Sequence, residues 1–125
     1  MDKRELQNRT KQFALRVLNL VDALPRTAAG RAISSQLVRA ATSVGANYRS
    51  ACRARSRAEF AAKLGVAVEE ADESLYWAVM ANLFPESKLA LLLKEADELT
   101  AILASGRKSA VNTSNIKHRT SYIRA

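Results

Sequence analysis

The segment RARSRAEF, residues 53–60, decides how this chain folds. A serine followed three residues later by a glutamate is the spacing of a helix-starting capping box. The hydroxyl of Ser56 is placed to accept from the amide of Glu59, and the carboxylate of Glu59 to reach back to the amide of Ser56. One helix therefore ends just before Ser56 and another begins at Arg57. The cap is worth roughly 1 kcal/mol, so the one acid in this arginine-rich stretch has a structural task and is not a catalytic candidate.

The same periodicity extends in both directions. Upstream, Ile33, Leu37, Ala40, Ala41, Val44, Tyr48 and Ala51 recur at three- and four-residue steps, which predicts a helix over Ala28 to Ala54. Before it, Leu6, Phe13, Val17, Leu20, Val21 and Leu24 fall within one arc, so a first helix covers Lys3 to Ala23 and Pro25 closes it. Downstream, Phe60, Leu64, Ala67, Ala71, Leu75 and Ala78 define a third helix from Arg57 to Leu83, broken by FPES. A fourth helix, Glu86 to Ala104, carries Leu89, Leu92, Leu93, Ala96, Leu99 and Leu103, with Gly106 at the position of a C-terminal cap. Four helices with short links predict an all-α fold, an antiparallel up-and-down four-helix bundle over residues 1–105. Residues 106–125 are polar and basic and lack a sustained apolar stripe, so they are expected to be a flexible, disordered tail. Gly45 inside the second helix points to close approach of a neighbouring backbone.

Several function classes are excluded by what the chain lacks. The sequence has 125 residues, enough for one core, and no apolar run long enough to span a membrane. It opens with charged residues, which is not the pattern of a signal peptide, so a cytoplasmic location is expected. Cys52 is the single cysteine and His118 the single histidine, and they are too far apart to hold a metal. No Ser-His or Cys-His pair is available for nucleophilic catalysis, no Glu-x-x-His motif for a di-iron site and no glycine-rich phosphate loop. The acids Glu69, Glu70, Asp72 and Glu73 splay around a helix instead of converging. An enzyme is not expected, and neither is a cofactor.

Charge is the informative property. The net charge is +8, and residues 26–63 hold eight basic side chains against one acid. Between Glu69 and Glu98 the balance reverses, with eight acids against Lys88 and Lys94, and the tail after Ala104 adds five basic residues and no acid. At about 100° per residue, Arg31, Arg39, Arg49 and Arg53 fall on the face of the second helix opposite its core stripe. Arg55 and Arg57 carry the same charge through the turn, and Arg107 and Lys108 open the tail. Arginine in place of lysine suits phosphates and carboxylates. These eight residues are the expected nucleic-acid contacts. Glu69 and Glu73 face away from the core of the third helix and have no basic residue one turn away, so they are available to a neighbouring molecule. Tyr76, Trp77, Met80, Leu83 and Phe84 form a second apolar side of that helix, the pattern of a homo-oligomer interface.

SVGANYRSACRARSRAEFAAKLGVAVEEADESLYWAVMA (43–81) and EADELTAILASGRKS (95–109) resemble a family of four-helix bundle proteins. That family is named after the intervening sequences of bacterial 23S rRNA genes, and accessory proteins of diversity-generating retroelements are related to it. The resemblance spans about Phe13 to Ser109. Its most specific parts are Ala46-Asn47, Arg55-Ser56 with Glu59-Phe60, and Glu95 to Ser109. It implies an up-and-down bundle that assembles into a homopentamer and, in the retroelement relatives, a basic ring that associates with nucleic acid and a reverse transcriptase. Many relatives have IAEG where this chain has YRSA (48–51), a change that removes an acid and adds Arg49.

These readings converge on a non-enzymatic, ring-forming bundle that binds nucleic acid, RNA being the expected class, through an arginine-rich edge. The alternative is a structural adaptor that docks on itself or on a protein partner through the same charged surfaces.

Overall fold

In the computed structural model the chain forms four α-helices in the expected order, with no strand among the described residues. The structure describes residues 1–85 and 87–124, and side chains through Asn112. Helix α1 spans Lys3–Leu20, α2 Ala28–Cys52, α3 Arg57–Ala81 and α4 Ala90–Arg124. A 3₁₀ turn, Val21–Ala23, follows α1.

Side chains set the helix starts. Asp2 caps α1 by accepting from the Glu5 amide at 2.8 Å, and Thr27 caps α2 by accepting from the Gly30 amide at 3.1 Å. Ser56 caps α3, with the Glu59 amide 3.1 Å from its hydroxyl. The reciprocal half of the box differs from expectation. The Glu59 carboxylate accepts from the amide of Arg55 at 3.3 Å, one residue before Ser56, and also holds Lys63 at 3.2 Å. The carboxylate thus ties the turn to the first two turns of α3.

Helix α2 packs most extensively on α3, which packs on α4; α1 lies against α2 and, less extensively, α4. This is the antiparallel up-and-down arrangement, with α1 and α3 across the diagonal. The core is filled by Phe13, Val17, Leu37, Val44, Leu64, Leu89, Leu92, Leu99 and Leu103. Between these layers, Ala40, Ala41, Ala67, Ala71, Ala78, Ala81 and Ala96 are buried and let the backbones close up. Each large aliphatic side chain removed from water contributes roughly 1.5–3 kcal/mol before the entropy of ordering it is subtracted. Ile33, Phe60, Leu75 and Leu93, assigned to the core by periodicity, are only partly buried at its margin.

Gly45 explains itself by contact. A Cβ at this position would lie 3.2 Å from the Thr10 hydroxyl oxygen, so α1 and α2 touch here. Thr10 is itself buried, and its hydroxyl donates to the carbonyl of Leu6 at 3.0 Å or of Gln7 at the same distance. Ser74, the other buried polar residue, donates to the Glu70 carbonyl at 2.7 Å. Both hydroxyls are satisfied within their own helix, which removes the cost of burying them.

The fourth helix departs from the sequence reading at both ends. It begins at Ala90 and not near Glu86, a residue outside those described, because the turn after α3 is followed by irregular chain over residues 87–89. There Ser87 donates its amide and its hydroxyl to the Phe84 carbonyl. At the other end α4 passes through Gly106 without a left-handed cap; no glycine here has positive φ. The helix continues because Ala110 has somewhere to go: it is buried against the α2–α3 turn. The boundary expected at residue 105 is therefore not a break in the fold, and residues 106–112 belong to α4. Of residues 106–125, expected to be a disordered tail, those through Arg124 are helical backbone of α4, and the side chains beyond Asn112 lie outside the described residues.

Gly30 provides a test of the α1–α2 link. A Cβ on Gly30 would fall 1.9 Å from the Pro25 carbonyl oxygen, a backbone atom that no rotamer change can move. Gly30→Ala is expected to destabilise the protein by about 1–3 kcal/mol, seen as a lower urea midpoint with unchanged helical circular dichroism.

Candidate nucleic-acid interface

Pairing within the chain decides which charges remain for a ligand. Arg9 of α1 grips α4, donating through Nε to Glu95 at 2.6 Å and through one terminal nitrogen to Glu98 at 2.6 Å. Arg39 of α2 reaches α3, where it pairs with Glu70 at 3.2 Å and with Glu73. The hydrogen bond from Arg39, followed by that from the Trp77 indole, holds the Glu73 carboxyl below its ordinary value.

Arg39 is thus not an uncompensated cation, and Glu73 is not open to a neighbour, contrary to the sequence reading. The reason lies in hairpin geometry. Arg39 precedes Arg55 by as many residues as Ala71 follows it, so the two flanks of the turn bring Arg39 alongside Glu70 and Glu73. Considering only partners along one helix misses a pair made across two.

The remaining arginines are exposed, and among the described residues Arg31, Arg49, Arg53, Arg55, Arg57, Arg107 and Lys108 make no ion pair shown by the structure. They do not form one strip. Arg49 and Arg53 line a groove of about 630 Å³ between α1 and α2. The facing wall is α1, which contributes Lys3, Arg4 and Lys11. No acidic side chain lines this groove, and Gln7, Asn8 and Thr42 add neutral hydrogen-bonding groups.

Arg55 and Arg57 line a second cleft, with Ser56, Phe60 and the α4 residues Gly106, Ser109 and Ala110. Cys52 borders both depressions, which places them end to end over the α2–α3 turn. Arg107 lies on the neighbouring surface of α3, its Nε 2.9 Å from where a Cβ on Gly65 would be. Arg31 is apart from all of these. It sits in the first turn of α2, about 27 Å from Arg49 at 1.5 Å per residue.

The α1 wall is the part that sequence reasoning missed. Lys3, Arg4 and Lys11 stand on the exposed face of an amphipathic helix, and their spacing of seven to eight residues puts them on one side. What could not be read is that this side borders α2. Beside the groove, Tyr48 is buried, and burial, then the contact with Cys52, pushes its phenol well above the ordinary value. It stays neutral and leaves the field of the arginines undiminished.

The expected oligomer face is only partly wet. Trp77 and Phe84 are half-buried and pack against the core, and Met80 is half-buried. Tyr76 stands 57% exposed, edge-on to Trp77 with ring centroids 5.0 Å apart. Val79 (48%), one turn further along α3, and Leu83 (76%), in the turn just past the end of that helix, are also exposed. With Glu69, which is exposed, and Asp72 they form an outer stripe that is acidic in its middle and apolar at its C-terminal end. No described helix is long and apolar enough to cross a membrane.

Comparison with known proteins supplies a family. A sequence model described as 23S rRNA-intervening sequence protein matches residues 2–105. Among solved structures, a protein of unknown function from the S23 ribosomal protein family of Bacteroides thetaiotaomicron is similar to this chain. It superposes with a TM-score of 0.73 at 30% identity, over 86% of this chain and 99% of that one. No curated protein matches the chain.

The pairing of Arg39 with Glu73 and of Lys63 with Glu59 makes stability depend on acid. Both carboxyls are held below their ordinary value of 4.5, first by hydrogen bonds from Arg39 and Lys63 respectively. The folded protein gains from both at pH values above 4.5 and loses the gain as pH falls through the lower folded-state values. Melting temperature is expected to decline below about pH 4.5, and less steeply in Arg39→Gln. An equal decline in that variant would assign the acid sensitivity elsewhere.

Proposed function

The chain belongs to the 23S rRNA-intervening sequence protein family, and from that premise we propose that it is a non-catalytic, self-assembling helical bundle that binds nucleic acid. RNA is the expected class and the cytoplasm the expected location. The observation that carries this reading is the α1–α2 groove, with Lys3, Arg4, Lys11, Arg49 and Arg53 on its walls and no acid among its lining residues. Five uncompensated cations in a concave surface concentrate phosphate through counterion release, an affinity that is largely sequence-independent and falls with salt. Arg55 and Arg57 prolong the cationic surface around the turn.

Self-association is supported by the outer stripe of α3. Tyr76, Val79 and Leu83 are the apolar part, and Glu69 and Asp72 are the acids of the stripe that make no ion pair shown among the described residues. A ring of five copies is what the family resemblance suggests. A nucleic-acid enzyme sharing the same strand, a reverse transcriptase among them, is the further partner in keeping with it.

The adaptor reading is favoured by the same stripe, since an acidic and apolar surface can equally dock on a basic protein. Arg49→Glu combined with Arg53→Glu separates the two. If the groove holds nucleic acid, the double variant binds RNA much more weakly, the log-log salt slope of its residual binding falls by roughly two contacts, and the mass by light scattering stays that of the wild type. Loss of assembly with no RNA binding in either form would favour the adaptor. For the stripe, Leu83→Glu is expected to reduce the assembled mass while each subunit keeps its helical content.

A further inference from the structure

The shape of the α1–α2 groove restricts what kind of nucleic acid it can hold. Its floor is made of the small residues Ala14, Gly45 and Ala46, and at Gly45 the two helices touch closely, since a Cβ there would lie 3.2 Å from the Thr10 hydroxyl oxygen. Helices in contact have axes about 8–10 Å apart, so the channel along their seam is narrower than any duplex. Its volume of about 630 Å³ matches a short stretch of one extended sugar-phosphate chain.

The antiparallel register sets cations along that channel. Gly45 faces Thr10, so Lys3 and Arg4 lie near Arg53 at one end, Arg49 follows, and Lys11 lies toward the other end. From Lys3 to Ala14 the helix rises roughly 16 Å, the span of a few nucleotides.

What the groove lacks is equally specific. No aromatic side chain lines it, and proteins that hold single strands by their bases use aromatic platforms for stacking. Bases bound here would point outward, and Gln7, Asn8 and Thr42 are placed for phosphate or ribose oxygens.

We propose that the α1–α2 groove is a track for the backbone of single-stranded nucleic acid, read without regard to base and continuing over the α2–α3 turn toward Arg55 and Arg57. This rests on the nucleic-acid reading above and adds to it the strandedness of the ligand and the part of the strand that is recognised.

The test uses the full chain, fluorescence anisotropy, and labelled oligo-U, oligo-A and an RNA duplex of equal length. Ala46→Leu fills the floor at an exposed position with neither charge nor stacking surface; Thr42→Leu, on the same groove, is the second variant should the first fold poorly. Expected are tighter binding of both single strands than of the duplex, equal affinity for oligo-U and oligo-A, and a salt slope of roughly 0.7 per contact. Each leucine variant should weaken single-strand binding about ten-fold, equivalent to about 1.4 kcal/mol, with wild-type melting and mass. Duplex binding as tight as single-strand binding, a strong base preference, or wild-type affinity in both folded variants would overturn the track while leaving nucleic-acid binding in place. Absence of binding by every RNA at low salt would instead remove the reading beneath it. A leucine variant that changes the assembled mass would make the groove a subunit contact, which also overturns the track.

Discussion

Everything in this bundle depends on how closely α2 can approach its two neighbours. Along its inner side Ala40, Ala41 and Ala51 are almost wholly buried, and the facing helix α3, on which α2 packs most extensively, buries Ala67, Ala71 and Ala78 in turn. On the flank toward α1, Gly45 meets Thr10. Small residues bring backbones together and gain dispersion contacts along their length, but leave no space at the seam for long charged side chains. Those are forced to the outer edges, where they either reach across to an acid on the next helix or stay facing water. The charge pattern of the surface follows from the packing of the interior.

Two arginines take the first course. Arg9 ties α1 to α4 and Arg39 ties α2 to α3, each to a pair of glutamates. Pairs that stay in contact with water add little stability, roughly 1 kcal/mol or less, so holding the bundle together is not their main consequence. They place four of the acids of α3 and α4 on the α2–α3 and α1–α4 flanks. The α1–α2 flank receives none along its groove, because its helices carry few acids and α1 spends Asp2 on its own N-terminus. A cationic groove arises from a distribution of acids as much as of arginines.

The four helices were legible from the three- and four-residue repeat, and the start of α3 from Ser56 and Glu59, because these are local properties with one periodicity. Helix ends were less so. Gly106 carries a capping signal, yet the helix proceeds because Ala110 finds a buried place on the α2–α3 turn, a tertiary contact no local window contains. The site divides along the same line. That Arg49, Arg53, Arg55 and Arg57 point outward could be computed from one helix and its turn. Lys3, Arg4 and Lys11 join them only through the packing of α1, and Arg39 leaves them only through that of α3. Trp77 and Phe84, which look like surplus apolar residues beside the core stripe of α3, are half-buried because a four-helix core needs more than one narrow stripe from each helix.

The two surfaces proposed to act lie on different flanks, and their separation has a physical consequence. Helices α1 and α3 face each other across the diagonal, so a groove walled by α1 and a stripe on the outer face of α3 need not compete for the same neighbour. Copies joined through α3 would each keep a cationic groove open. A few phosphates per groove give modest affinity alone, but grooves linked in one assembly bind one strand with an effective concentration set by the distance between them. Repetition then supplies affinity that no single groove has, without any one site having to recognise a base.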